Sequence, residues 1–375
     1  MSFYQKHSEW KQFDFKQYLH DAGKREVENI LNKSKINERD FLCLLSPIAG
    51  KYLEEMAEKA HRLTIRNFGK VMFLYAPIYV ANYCDNQCVY CGFKNDNDVE
   101  RRKLSLSEVE KEAKAVADRG IKHILLLTGG SRSYTPLSYI KECVQVLKKY
   151  FTSISIEIYA LTEEEYREMI ESGVDGLTLY QETYTEEIYK KLHPEGPKKN
   201  FKFRLEAPDR ACRSGMRYVN IGSLLGLNDW RKEAFLTGIH ANYLQNEYLS
   251  SCIGISVPRI QEYPGADYTP SCPVSDRELV QIMLAYRLFL PWIGLTVSTR
   301  ESAELRRNLL PLGVTKLSAD SSTAVGGYTD RKREGQFAVS DGSSVEEVKQ
   351  MICKSGYQPV FKYWQLLDKA EVVDE

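Results

Sequence analysis

The chain has 375 residues and a formal net charge of zero at neutral pH, with 51 basic and 51 acidic residues mixed along its length. This balance argues against a broad charged surface for nucleic acid, and no apolar run approaches the roughly 20 residues of a membrane-spanning helix. The N-terminus, MSFYQKHSEWKQFDF, lacks the apolar stretch of a signal peptide. We therefore expect a soluble, cytoplasmic protein with no nucleic-acid or membrane partner.

The apolar pattern predicts helices over the first 66 residues and then a rhythm of short apolar run, loop and amphipathic helix. Eight runs follow this rhythm: Val71–Val80, His123–Thr128, Ile154–Tyr159, Gly176–Tyr180, Tyr218–Ser223, Gly254–Pro258, Gly294–Ser298 and Val314–Ser318. Capping boxes are predicted at three helix starts: Ser107 with Glu110, Thr162 with Glu165 and Ser275 with Glu278. Eight alternating strands and helices favour an α/β fold, a closed (β/α)8 barrel.

We expect three parts: an N-terminal helical extension (1–66), the barrel (67–320) and a C-terminal extension (321–375) that packs on the barrel. The last part is predicted to contain a helix near Ser344–Lys354 and an aromatic segment at Phe361–Leu367. In a barrel of this kind the active site lies at the carboxyl ends of the strands. The residues that follow each apolar run are therefore the candidates for function.

Three cysteines, Cys84, Cys88 and Cys91, follow the first run with the spacing CxxxCxxC. Three thiolates hold three irons of a 4Fe–4S cluster, which normally takes four cysteine ligands. Since no fourth cysteine lies nearby, one iron stays open to a ligand that is not protein. Such an iron, chelated by the amine and carboxylate of S-adenosylmethionine (SAM), is the arrangement that a radical SAM enzyme needs.

Two other uses of the three cysteines fit less well. A zinc site usually has four Cys or His ligands in paired spacings, and no second pair is present. A disulfide framework does not suit nine cysteines in a chain of this length. The other six are expected to be structural: Cys43, Cys143, Cys212, Cys252, Cys272 and Cys353.

Polar or small residues at other strand ends are candidate SAM contacts. Gly129 and Gly130 follow the second run and allow close approach of the backbone to a ligand, although a simple turn also explains such a pair. The remaining candidates are Tyr90 before the third cysteine, Glu157 in the third strand, Gln181 and Glu182 after the fourth, Arg204 before the fifth, and the small residues of Ile221–Gly226. A carboxylate at a helix start and tight strand–helix packing remain alternatives for Gln181–Glu182 and Ile221–Gly226.

The segment Ser298-Thr-Arg300-Glu301 follows the seventh run. An arginine at that depth grips a carboxylate through two parallel hydrogen bonds, and Ser298 adds a hydroxyl. The alternative is a structural Arg300–Glu301 pair at the surface. We favour a substrate anchor. His240, within a predicted helix, is expected to be structural.

These segments together resemble the aromatic amino-acid lyase branch of the radical SAM superfamily. The resemblance extends over nearly the whole chain and is carried by these segments: Leu45–Pro47, Asn82–Phe93, Leu126–Gly129, Tyr180–Tyr184, Arg204–Arg210, Val257–Arg259, Ser298–Glu301 and Gly326–Tyr328. It implies a carbon–carbon lyase that carries a 4Fe–4S cluster and SAM and cleaves the Cα–Cβ bond of L-tyrosine to p-cresol and 2-iminoacetate for thiamine thiazole synthesis. The implied partners are a thiazole synthase and a flavodoxin- or ferredoxin-type electron donor.

Three other functions remain open: a hydrogenase-maturation-like lyase, a lyase for another aromatic amino acid, and a cluster-binding scaffold without activity. The chain departs from the family pattern at three places. Thr128-Gly129-Gly130 stands where the family usually has Thr-Gly-Glu, and Gln261 stands where it has an arginine. The arginine that the family commonly has near Ser343 is missing. The resemblance implies that the missing glutamate holds the SAM amine, so Gly130→Glu is expected to tighten SAM binding if the loop accepts a side chain; the alternative is that the loop needs glycine there for positive φ, in which case glutamate strains it.

Overall fold

The computed structural model describes residues 2–261, 263, 268–330 and 335–362. Eight parallel strands form the barrel: β1 (Val71–Ala81), β2 (His123–Thr128), β3 (Ser153–Glu157), β4 (Gly176–Glu182), β5 (Tyr218–Ser223), β6 (Cys252–Ser256), β7 (Gly294–Val297) and β8 (Lys316–Ser318). Each strand pairs with the next, and β8 pairs with β1 through Phe73–Tyr75, which closes the barrel. The strands are buried along most of their length, because the helices cover one face and the barrel interior covers the other. The predicted (β/α)8 fold is confirmed.

Helices cover the outside of the barrel. The N-terminal helices are α1 (Phe3–Glu9), α2 (Phe15–Asp21), α3 (Lys24–Asn32), α4 (Glu38–Leu44) and α5 (Leu53–Phe68). The barrel helices are α6 (Leu106–Ala117), α7 (Leu137–Leu147), α8 (Glu163–Ser172), α9 (Glu186–Leu192), α10 (Phe201–Leu205), α11 (Ala207–Arg213), α12 (Trp230–Glu247), α13 (Asp276–Phe289) and α14 (Ala303–Leu309). A last helix, α15 (Val345–Lys354), confirms the prediction near Ser344–Lys354.

The N-terminal helices pack on α12 and α13. The buried side chain of Gln281 on α13 donates two hydrogen bonds of 2.9 Å, to the carbonyl oxygens of Leu44 and Ser46. His240 on α12 stacks on Phe3, with ring centroids 3.8 Å apart, and its Nδ1 forms a 2.9 Å hydrogen bond with the Tyr184 hydroxyl. These contacts agree with the structural role expected of His240.

Two local predictions need correction. The helix α6 begins earlier than expected, because Ser105 and Glu108 form its capping box rather than Ser107 and Glu110. The boxes at Thr162 and Ser275 are as predicted. A ninth strand, β9 (Gln358–Val360), was missed; it pairs with Val71–Phe73, ahead of the β1 residues that pair with β2.

The three-part division of the chain stays a prediction, and its first boundary falls in the last turn of α5. Of the aromatic segment Phe361–Leu367, residues 363–367 lie outside the described residues. No helix among the described residues has the length and apolarity to cross a bilayer.

Candidate active site

A cavity of about 270 Å³ opens at the carboxyl ends of the strands. The ends of four neighbouring strands and the loops after them supply much of its wall: Thr128, Glu157, Tyr180, Glu182 and Leu224. Arg300 faces it from the loop after β7, and Gln336 and Phe337 reach it from the segment that follows β8. The cavity therefore lies where a barrel of this class holds its ligands.

Cys84, Cys88 and Cys91 all line this cavity. Among the described residues, no three Cys, His, Asp or Glu side chains are grouped as one metal ion would require. A cluster spaces its cysteine sulfurs more widely than a single zinc ion does, so three separate thiols around one cavity suit the cluster. The three thiols on one cavity wall fit the predicted 4Fe–4S group with one open iron.

Two amide side chains meet the cysteine sulfurs. Asn86 Nδ2 lies 3.4 Å from Cys84 Sγ, and Gln336 Nε2 lies 3.4 Å from Cys91 Sγ. Cys88 receives no side-chain hydrogen bond from the residues that the structure describes. Amide N–H groups that point at sulfur favour the thiolate, which is the form that binds iron.

The carboxylate of Glu182 is held by two cations on the cavity wall. Lys198 Nζ lies 2.6 Å from Glu182 Oε1, and Arg204 Nη2 lies 3.3 Å from the same oxygen. Lys198 also donates to the Tyr90 hydroxyl at 3.2 Å, and that hydroxyl forms a 2.7 Å hydrogen bond with His193 Nε2. Tyr90, Glu182 and Arg204 thus belong to one hydrogen-bonded wall beside the cysteines.

The backbone of Glu182 is strained, with φ of +71° at a residue that has a side chain. The pairing of β4 with β5 shifts register at this point, between Tyr180 and Glu182. A non-glycine residue in the left-handed region persists only where its surroundings fix it, and such residues concentrate at functional sites. The bulge places both Tyr180 and Glu182 on the cavity.

Glu157, at the end of β3, has no hydrogen bond or ion pair with any residue that the structure describes. Burial raises the pKa of its carboxyl to about 7, and the negative charge of Glu182 adds to the rise, while Arg300 opposes it. A carboxyl with this pKa changes protonation state near neutral pH. An unpaired acid of this kind on a cavity wall is typical of a ligand site.

Arg300 presents its guanidinium to the cavity and stacks over the Phe337 ring, with 3.4 Å between the guanidinium carbon and the ring centroid. No described carboxylate forms an ion pair with it. Glu301, which is buried, pairs instead with Arg259, and Arg259 also pairs with Asp276 at 2.8 Å. The alternative of an Arg300–Glu301 pair is therefore wrong, and Arg300 is left available for a ligand.

Gly129 and Gly130 line the cavity because of close packing against the cysteine loop. A Cβ at Gly129 would lie 2.1 Å from the Tyr83 carbonyl oxygen, and one at Gly130 would lie 2.5 Å from Asn86 Nδ2. Neither glycine has positive φ. The pair thus allows close packing against the cysteine loop rather than a left-handed turn, and the predicted approach of this backbone to a ligand stays a prediction.

Two predicted site residues do not reach the cavity. Gln181 lies between Tyr180 and Glu182, which both line the cavity, and its buried amide has no partner among the described residues. Gln181 is therefore not part of the cavity wall at the β4 bulge. Ser298 is likewise absent from the wall, and its Oγ accepts from the Arg300 amide at 3.4 Å, so it shapes the loop instead. Neither residue lines the cavity, and the predicted direct contacts of both stay predictions.

The wall includes residues that sequence reasoning did not select, among them Asn86, Lys198, Gln336 and Phe337. Asn86 lies inside the CxxxCxxC motif, and its position alone was a usable signal. Lys198 lies in a loop far along the chain, and its amide donates to Asn86 Oδ1 at 2.7 Å. Gln336 and Phe337 lie well beyond the end of β8, so a strand-end argument does not select them.

Comparison with known proteins agrees with this fold. Residues 78–237 match the model of the radical SAM superfamily, and residues 256–358 match the biotin and thiamin synthesis associated domain. The chain is 38% identical to the 2-iminoacetate synthase of Escherichia coli (strain K12) over 95% of both chains. It is 36% identical to that of Salmonella typhimurium, again over 95% of both.

Among solved structures, the FeFe-hydrogenase maturase HydG from Carboxydothermus hydrogenoformans superimposes with a TM-score of 0.87 at 30% identity. That match covers 95% of this chain and 83% of HydG. The fold and the cysteine-lined cavity thus define a radical SAM enzyme, a lyase whose cofactors are a 4Fe–4S cluster and SAM. Within that superfamily the chain belongs to the 2-iminoacetate synthase family.

Proposed function

We propose that this chain cleaves the Cα–Cβ bond of L-tyrosine and releases p-cresol and 2-iminoacetate. The observation that carries the proposal is Arg300, a guanidinium that faces the cysteine-lined cavity with no ion-pair partner among the described residues. An α-amino acid substrate brings a carboxylate, and the planar fork of arginine matches its two oxygens. The names of the relatives at 38% and 36% identity support the same reaction.

The chain supplies binding and orientation, while the cluster and SAM supply a 5′-deoxyadenosyl radical. Cys84, Cys88 and Cys91 would hold the cluster beside the Gly129–Gly130 loop. Glu182, fixed by its two cations, presents a carboxylate that can accept hydrogen bonds from the ribose hydroxyls of SAM. This arrangement leaves Arg300, on the wall of the same cavity, to hold the tyrosine carboxylate.

The aromatic part of the substrate also has a place to pack. The wall of the cavity includes four aromatic rings besides Tyr90 and Tyr180: Phe93, Tyr159, Phe203 and Phe337. Aromatic side chains favour edge and offset contacts with another ring. A wall of this composition excludes water from a radical reaction and favours an aromatic amino acid over a small one.

Two protein partners follow from the proposed chemistry. The cluster needs an electron from a donor of flavodoxin or ferredoxin type, and 2-iminoacetate, which hydrolyses readily, needs a thiazole synthase that consumes it. We propose both partners, together with a cytoplasmic location that would bring them together.

The test is anaerobic reconstitution of the full chain with iron and sulfide, followed by dithionite, SAM and one of L-tyrosine, L-phenylalanine or L-tryptophan. We expect 5′-deoxyadenosine and p-cresol with tyrosine. Products of another aromatic amino acid would transfer the proposal to that substrate. A loaded cluster without any 5′-deoxyadenosine would identify a scaffold that has lost activity.

A further inference from the structure

A side-chain amide in the segment after β8 contacts one of the predicted cluster ligands. Gln336 Nε2 lies 3.4 Å from Cys91 Sγ, and Gln336 Oε1 lies 2.9 Å from the hydroxyl of Tyr79, a buried residue of β1. The Gln336 backbone amide donates to the Thr323 carbonyl at 3.0 Å. The side chain is therefore fixed at both ends and at its own backbone.

The chain at residue 335 is shaped for this approach. A Cβ on Gly335 would lie 2.0 Å from Thr323 Oγ1, so only glycine lets the segment lie this close to Thr323. The Thr323 hydroxyl donates to the Phe337 carbonyl at 2.9 Å and holds the segment on the other side of Gln336. The position of the amide is thus built into the fold rather than left to a free surface loop.

The direction of the hydrogen bonds is set by chemistry. A thiolate sulfur only accepts, so the amide nitrogen of Gln336 must face Cys91 when the sulfur is bound to iron. The amide carbonyl then faces Tyr79, whose hydroxyl is able to donate. One orientation satisfies all three groups, and Tyr79 selects it.

We propose that Gln336 is a positioning residue that raises the reduction potential of the cluster through its N–H···S bond to Cys91, with Tyr79 holding the amide in place. Hydrogen bonds to the sulfurs of an iron–sulfur cluster help set its potential, because they stabilise the more negative, reduced state. The C-terminal region thereby takes part in the electron step that starts the reaction. This inference rests on the cluster and not on the identity of the substrate.

The test is a potentiometric titration of the cluster-loaded full chain in the absence of tyrosine. The reduced cluster is monitored by electron paramagnetic resonance. Gln336→Leu keeps the approximate shape and removes the donor. We expect the ratio of reduced to oxidised cluster at a fixed solution potential to fall about tenfold, which corresponds to a midpoint about 59 mV lower. Tyr79→Phe should shift the midpoint in the same direction by less, since the amide then loses its orienting partner.

Gln350→Leu is the matched control, because Gln350 lies on α15 and its amide contacts only the exposed Glu346 in the described structure. An unchanged midpoint in Gln336→Leu, or one equal to that of Gln350→Leu, would overturn the proposal. If Gln336→Leu does not take up the cluster, Gln336→Asn decides, because its shorter side chain falls short of the sulfur. If every midpoint is as expected but the parent chain forms no p-cresol from tyrosine, the proposed substrate is wrong and the role of Gln336 still stands.

Discussion

Both ends of the barrel contain charged side chains, but at one end they are packed against other residues and at the other they face an open cavity. At the amino ends of the strands, Lys316 is buried between the rings of Tyr75 and Tyr218, with its Nζ 5.1 and 4.7 Å from the ring centroids. The void beside it measures about 10 Å³, room for about one water molecule. Burial lowers the pKa of Lys316 to about 7, and nearby Asp175 opposes the fall.

At the carboxyl ends, Glu157 and Arg300 face an open cavity and form no ion pair with a described residue. Both ends therefore bear the cost of placing charges in a barrel, but only one leaves them within reach of a ligand. The comparison teaches that a perturbed pKa inside a barrel does not by itself mark a site. Access to an open cavity distinguishes the functional end from the packed one.

The largest effect is expected from the cluster ligands. Replacing Cys84, Cys88 or Cys91 with Ala removes one thiolate from an iron, so the visible charge-transfer absorption and all SAM cleavage should be lost. Cys143 and Cys212 are buried on α7 and α11, away from the cavity, and their Ala variants should keep both signals. If any of these three cysteine variants still formed 5′-deoxyadenosine, the assignment of the cysteines as cluster ligands would be wrong.

The next largest effect is expected at Arg300. Arg300→Lys keeps the charge but loses the planar fork, so the apparent KM for tyrosine should rise about tenfold, while SAM binding changes little. Arg306→Lys is the matched change at a buried arginine that pairs with Asp341. It should lower the melting temperature and leave the KM near that of the parent. Equal KM values in the parent and in Arg300→Lys would assign Arg300 to the fold.

The raised pKa of Glu157 predicts that the stability of the folded chain depends on pH within a defined range. Its pKa of about 7 in the folded chain lies above the value of about 4.3 for an unfolded glutamate. The folded state thus binds the extra proton between these values and loses stability as the pH rises through them. Glu157→Gln should stabilise the cluster-free chain by about 1–3 kcal/mol at pH 8 and by almost nothing at pH 4.5.

Thermal unfolding of both chains across this range measures the difference. Lys316→Met is the counterpart at the other end of the barrel, where a lowered lysine pKa makes stability rise with pH above 7. That variant should change the slope above pH 7 and leave the slope below it unaltered. A Glu157→Gln gain that is the same at pH 4.5 and pH 8 would mean that the carboxyl does not titrate as the structure indicates.

The sequence predicted the parts of the site that depend on local patterns. The cysteine spacing lies within eight residues, and parallel βα units place every strand end on one face, which located Glu157, Glu182 and Arg300. Gln181 does not line the cavity, because a strand-end pattern selects a position along the chain and not the face that its side chain occupies, so its contact with SAM stays a prediction.

Lys198 and Gln336 were missed because their roles arise from tertiary contacts across the barrel mouth. Lys198 lies in a loop before α10 and reaches back to Glu182, while Gln336 lies more than 240 positions from Cys91 in sequence. No periodicity or spacing in the sequence predicts either contact. The same limit applies to β9, whose three residues form a strand only because β1 offers an unpaired edge there.

The smallest effect is expected at Gly130, where the structure reverses the expectation drawn from the family resemblance. The space that a side chain would need is filled by Asn86, whose Oδ1 accepts from the Lys198 amide at 2.7 Å and whose Nδ2 faces Cys84. A Cβ at residue 130 forces this amide aside. Gly130→Ala should therefore weaken SAM binding about fivefold, at the lower end of the cost of overpacking, and Gly130→Glu should weaken it further.

A double-mutant cycle separates this clash from other causes. Asn86→Ala opens the space, so adding Gly130→Ala in that background should cost little, and the two changes should not be additive. Equal losses from Gly130→Ala in both backgrounds would show that Asn86 is not the obstacle. Tighter SAM binding by Gly130→Glu alone would mean that the loop yields and that the glutamate of the family can act here. In that case the packing of Asn86 would be a consequence of the glycine and not the reason for it.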